Sequence, residues 1–189
     1  ISMSEIFQGT KVSEKLFVKE VQRFLSAYGY IRCAECHFDG DNDEQPDVEL
    51  VLEAARWPAG MPRTLSLEAK SHHSKDAPNT INKAFGQLLK EANKSSAKQQ
   101  QGGNCLGLLI PIDGAKWVDS NGKPNNCGSG VEYYRNGFRR IDATVFSGFG
   151  RLVNARYVLA FSVHQQYLEV FDWDAFHAGK PPLTRLMAQ

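Results

Sequence analysis

Pro46-Asp47 and Glu68-Ala69-Lys70 set two carboxylates and an ammonium beside runs that alternate like β-strands. Over 65–70 the odd positions are apolar and the even ones polar, so Glu68 and Lys70 leave one face of a strand. Asp47 opens a second alternating run, 48–52, whose apolar members can share a core with the first. Pairing of the two strands brings the three charged groups to one end of a small sheet. Such a cluster suits phosphodiester hydrolysis, which needs an activated water, neutralised phosphate charge and a stabilised leaving oxygen. Mg2+ supplies all three through oxygen ligands and retained waters, with Mn2+ the natural substitute. Asp47 and Glu68 are the candidate metal ligands, and the backbone carbonyl of Ala69 between them and Lys70 is a third oxygen. Lys70 is the candidate for holding the attacking water and lowering its pKa by charge proximity. Plainer alternatives exist: Asp47 as a turn residue after Pro46, and Glu68 with Lys70 as a surface pair of little energetic weight.

These residues need elements to position them. Over 13–28, Leu16, Phe17, Val21, Phe24, Leu25 and Tyr28 form one stripe, which predicts a helix with Ser13 as N-cap and Gly29 as stop. A strand follows over 30–38, then an acidic turn over 39–44 that lacks EF-hand register and reads as solvated. The Asp47 strand and the Glu68 strand are joined through the Pro- and Gly-punctuated segment 57–62. After a polar loop over 71–78, a helix is predicted from Asn79 or Thr80 to about Lys94, burying Ile81, Ala84, Phe85, Leu88 and Leu89. The stretch 95–104 reads as a loop, and the apolar run 105–112 as a central strand. Beyond it, 113–130 reads as a long surface loop and 132–145 is ambiguous between strand and helix. Segments 156–163 and 167–173 resemble a hairpin, with a last short helix from Asp174. The order α-β-β-β-α-β implies an α/β core with a central mixed sheet flanked by helices and extra C-terminal strands. The division expected is an N-terminal segment 1–12, a core 13–112, and an extension 113–189 packed on the same domain. Ile1 and Ser2, ahead of Met3, read as a cloning remnant.

The 189 residues carry a net charge of +1, so overall charge does not select a partner, but its distribution does. Lys70, Lys75, Lys83, Lys90, Lys94 and Lys98 face only Asp76 and Glu91, whereas acids concentrate between Asp39 and Glu53. That segregation allows an acidic metal-binding pole beside a basic phosphate-binding flank, although lysines on a solvated helix are the commoner reading for any one of them. No apolar run approaches a membrane span and no signal-peptide pattern opens the chain, so a cytoplasmic protein without a membrane partner is expected. Cys33 and Cys36 point to opposite faces of a strand and lack a second pair, so buried free thiols are expected rather than zinc. Trp117, Tyr133, Tyr134 and Phe138 beside Arg135, Arg139 and Arg140 offer either a stacking, phosphate-contacting surface or, more commonly, core.

Pro46-Asp47 followed by Glu68-Ala69-Lys70 resembles the signature of the PD-(D/E)xK nuclease superfamily, the restriction-endonuclease-like fold, over about residues 13–112. The resemblance implies that Asp47 and Glu68 bind the metal and that Lys70 assists the nucleophile. Members also carry a glutamate on the first helix; Glu14 and Glu20 both flank the stripe, and Glu14, nearer the helix start, is favoured. A glutamine on the helix after the motif is known in some branches, and Gln87 sits at that place. A Mg2+-dependent DNA endonuclease is therefore expected, with Lys83, Gln87 and Lys90 on the second helix as candidate nucleic-acid contacts and pairing as a homodimer. The alternative is a catalytically silent nucleic-acid-binding or assembly module on the same fold. Retained convergent charges argue against that alternative.

Overall fold

A computed structural model describes residues 9–10, 13–37, 47–72, 77–100, 103–118, 121–128 and 130–188. In chain order the elements are β1 (Gly9–Thr10), α1 (Glu14–Ala27), β2 (Ile31–Cys36), β3 (Val48–Leu52), β4 (Thr64–Ala69), α2 (Ala77–Gln100) and β5 (Asn104–Pro111). There follow β6 (Ala115–Val118), β7 (Pro124–Cys127), α3 (Val131–Phe138), α4 (Ala143–Val153), β8 (Ala155–Ser162), β9 (Tyr167–Asp172), α5 (Trp173–His177) and β10 (Thr184–Met187).

Seven strands form one mixed sheet in the order β10-β9-β8-β5-β4-β3-β2. Strands β2, β3 and β4 are an antiparallel meander, with Val48 opposite Leu67. The helix α2 then crosses over so that β5 runs parallel to β4, and β8 runs parallel to β5. Strand β9 and then β10 turn back antiparallel at the far edge. The molecule is thus α/β with a mixed sheet flanked by helices. A small second sheet, β1-β6-β7, lies apart from it.

Period-two alternation splits the core between the two faces. On β5, Cys105 and Leu109 join α1 residues Phe17, Val21, Phe24 and Leu25 together with Leu65 and Leu67. Leu106, Leu108 and Ile110 point the other way, against Ile81, Ala84 and Leu88 of α2 and the aromatics Phe146, Trp173 and Phe176. Ser13 caps α1 as the sequence suggests, its hydroxyl accepting from the Leu16 N–H at 3.2 Å. Gly29 closes the helix at φ +66°, the left-handed conformation a glycine adopts without strain.

Several expectations are corrected. Helix α2 continues to Gln100 where a loop over 95–104 was expected, because Lys, Ala and Gln are good helix formers and no breaker interrupts them. Segment 113–130 holds the β6–β7 hairpin, and 132–145 spans α3 and the start of α4. Leu16 and Leu89 are exposed rather than buried, while Val18 takes the inner position on α1. Strand β10 carries no sequence pattern strong enough to announce it. The paired hairpin β8–β9 and the short helix after it are where the sequence places them.

Candidate active site

Asp47 stands immediately before β3. Its carbonyl accepts from the His37 N–H at 3.1 Å, prolonging the β2–β3 ladder, and its Oδ2 accepts from the Ala69 N–H at 2.7 Å. The β3–β4 register sets Asp47 beside Glu68 on one face of the sheet. Along an extended strand a residue's N–H and C=O leave on the same edge, so the Ala69 carbonyl emerges on the Asp47 side. Lys70 follows directly, anchored where its N–H donates to the Leu109 carbonyl at 2.8 Å. Its Nζ donates to Glu68 Oε1 at 2.7 Å and to Gln87 Oε1 at 2.9 Å. Glu14, the first residue of α1, reaches the same ammonium, with Oε1 3.9 Å from Nζ. Five residues from four elements and their ends therefore meet where β4 terminates.

The electrostatics follow from burial. Glu68 is 3 % exposed, beside Leu108 on the neighbouring strand. Desolvation, then the negative charge of Asp47, push its carboxyl up to about 8, against the pull of Lys70. Asp47 is also raised by burial, opposed by the Ala69 N–H, by Lys70 and by a hydrogen bond to Glu68. Glu14 shifts upward for the same reason, desolvation, against Lys70. Burial alone would depress the Lys70 ammonium, but Glu68, Glu14 and Asp47 together hold it above its ordinary value. Three carboxyl groups share one ammonium, a surplus of acid that burial and the Asp47 charge make costly to ionise at Glu68.

That surplus is the test of whether a divalent cation fits. The donors are oxygens only, from Asp47, Glu68, Glu14 and the Ala69 carbonyl, which is the set Mg2+ and Mn2+ prefer over softer metals. A dication here would replace the Glu68 proton and relieve the like-charge repulsion with Asp47.

Of the two glutamates flanking the α1 stripe, Glu14 lies 3.9 Å from the Lys70 ammonium, whereas Glu20 is buried and pairs with Arg23 at 2.6 Å. Gln87 faces Lys70, while Lys83 and Lys90 stand exposed on the same stripe of α2, four residues before it and three after. His72 is buried, its Nε2 3.1 Å from the Asp113 carbonyl oxygen, and takes no place in the cluster. His73 and the acidic turn 39–44 lie outside the described residues. Cys33 is exposed, contrary to the expected buried thiol, because it sits on the polar face of edge strand β2; Cys105 is buried as a core thiol. Tyr134, Arg135 and Phe138 are core, with the Arg135 guanidinium over Phe171 and Phe176. One cluster escaped the sequence reading. Glu35 and His37 of the β2 segment meet Glu49 of β3, and the alternation Glu35-Cys36-His37 was its only sequence signal.

No family model, no curated protein and no solved structure matches the chain. Among the described residues, no helix is long and apolar enough to cross a membrane.

Proposed function

We propose that this chain is a divalent-metal-dependent endodeoxyribonuclease on a restriction-endonuclease-like arrangement of the sheet. One observation carries the proposal: Asp47, Glu68 and Lys70, distant in sequence from Glu14 and Gln87, converge with both of them at the end of β4. A surface ion pair has no need of a second buried carboxylate and a glutamine on its far side. The meander β2–β4 followed by a crossover helix and a parallel strand supports the fold assignment.

When bound, Mg2+ or Mn2+ supplies charge neutralisation at the phosphate and acidifies water. Asp47, Glu68 and the Ala69 carbonyl would hold the ion, with Glu14 a further oxygen donor from the helix side. Lys70, kept as an ammonium by its carboxylate neighbours, orients the attacking water through its Nζ donors and stabilises negative charge developing on the phosphate. Gln87 fixes that ammonium from α2 by accepting at 2.9 Å. Lys83 and Lys90 extend the same helix stripe as contacts to the phosphate backbone. Pairing of two copies, each cutting one strand of a duplex, belongs to the same proposal.

The test is incubation of the protein with supercoiled plasmid in Mg2+ or in chelator, beside Asp47→Ala. The expected outcome is nicking and linearisation by the wild type in Mg2+ alone, with activity lost in the variant. Cleavage that persists in chelator, or an Asp47→Ala protein as active as wild type, removes the assigned site.

A further inference from the structure

A second cluster lies one strand further out on the same sheet face. The β2–β3 register sets Glu35 directly opposite Glu49, and His37 follows two residues along from Glu35. One ligand atom from each of the three lies within 4.8 Å of the others. His37 Nε2 stands 3.6 Å from Glu49 Oε2 and 3.9 Å from Glu35 Oε2. That nitrogen is sealed from solvent and makes no hydrogen bond among the described residues.

Two features of this arrangement cost free energy as they stand. Like charges directly opposite on adjacent strands repel. A buried polar ring nitrogen without a hydrogen bond recovers little of its lost solvation from carboxylates 3.6 and 3.9 Å away. A dication between the three groups relieves both. Tetrahedral bonds of about 2.0–2.1 Å to imidazole and carboxylate place ligand atoms about 3.3 Å apart, so the His37 separations of 3.6 and 3.9 Å must close by about 0.3 and 0.6 Å, and the carboxylates, within 4.8 Å of each other, by rotation of the exposed Glu35 side chain. The cluster borders an open groove of about 450 Å³, lined by Cys33, Glu35, Glu49, Arg63 and Asn104, which gives an ion its entry and leaves a position for water.

We propose that Glu35, His37 and Glu49 form a second metal site, selective for Zn2+, that ties edge strand β2 to β3. Its imidazole donor separates it from the oxygen-only set at Asp47 and Glu68, and imidazole favours Zn2+ over Mg2+. The His37 N–H donates to the Asp47 carbonyl, so the ion also braces the segment that presents Asp47. The site stands independently of the nuclease proposal, because none of its three ligands belongs to that cluster.

The test is Zn2+ titration by calorimetry on D47A/E68Q, which removes the other carboxylates, and on wild type already saturated with Mg2+. One equivalent of Zn2+ is expected to bind in both formats. His37→Gln should weaken that binding at least tenfold, given that even outer-shell substitutions cost about 10–100-fold. Glu35→Gln, whose carboxylate is 74 % exposed and can be changed without disturbing the core, should weaken it as well. Co2+ in the same site should give a tetrahedral absorption spectrum that His37→Gln abolishes. Absence of Zn2+ binding in both formats, or binding that neither His37→Gln nor Glu35→Gln alters, overturns the proposal.

Discussion

At the scale of single residues, the proton on Glu68 is the most consequential feature. Its folded-state pKa is raised from 4.5 to about 8 by burial and by Asp47, so between those values the folded chain holds a proton that the unfolded chain has released. Stability of the metal-free protein therefore falls as pH rises through that window. Asp47 and Glu14, both raised, act in the same direction. Thermal melting in chelator should show a midpoint that declines from about pH 5 to pH 8, a decline flattened in Glu68→Gln. A midpoint as steep in Glu68→Gln as in wild type would show that Glu68 is not the group responsible. Adding Mg2+ at pH 8 should recover the lost stability, because the ion takes the place of the proton. The identities of Asp47, Glu68 and Lys70 were legible because each sits in, or at the end of, an alternating run. The burial of Glu20, which leaves Glu14 as the reaching glutamate, depends on packing that no single helix pattern displays.

At the scale of elements, α2 does two things at once. Its apolar stripe of Ile81, Ala84 and Leu88 covers one face of the sheet, and the adjoining stripe presents Lys83, Gln87 and Lys90. If that polar stripe follows the phosphate backbone, the double variant Lys83→Ala/Lys90→Ala should lower the slope of log affinity against log salt by about two. Anisotropy with labelled duplex, measured in chelator, reads that slope. An unchanged slope would move the DNA path off α2. The existence of this helix and the burial of Ile81, Ala84 and Leu88 follow from the spacing of apolar residues, whereas its start at Ala77, the exposure of Leu89 and the continuation of a polar sequence to Gln100 do not. The Glu35–His37–Glu49 cluster was illegible for a different reason. It exists only once β2 and β3 are in register, and a one-residue slip would turn Glu35 to the opposite face.

At the scale of the whole molecule, one sheet carries both clusters, and its centre sets their relative positions. Strands β5 and β8 pair at Gly107 and Tyr157, where a Cβ on residue 107 would lie 2.6 Å from the Tyr157 carbonyl oxygen. That is backbone, with no flexible side chain to give way. Gly107→Val should therefore lower the melting midpoint, by roughly 2–12 °C for an overpacking cost of about 1–3 kcal/mol. A midpoint within about 1 °C of wild type would mean that the strands part without cost. The parallel crossover through α2 aligns Glu68 with Leu108, which gives the carboxylate its apolar neighbour and the site its electrostatic character. The central claim, that this convergence hydrolyses DNA, is tested most directly by single-turnover cleavage with saturating Mg2+, comparing wild type with Lys70→Ala. Lys70→Ala should still bind Mg2+ but cleave roughly 10²-fold or more slowly, because it lacks the group proposed to orient the water and meet the developing charge. Equal rates for the two proteins, or no cleavage of any DNA by the wild type in Mg2+ or Mn2+, would contradict it.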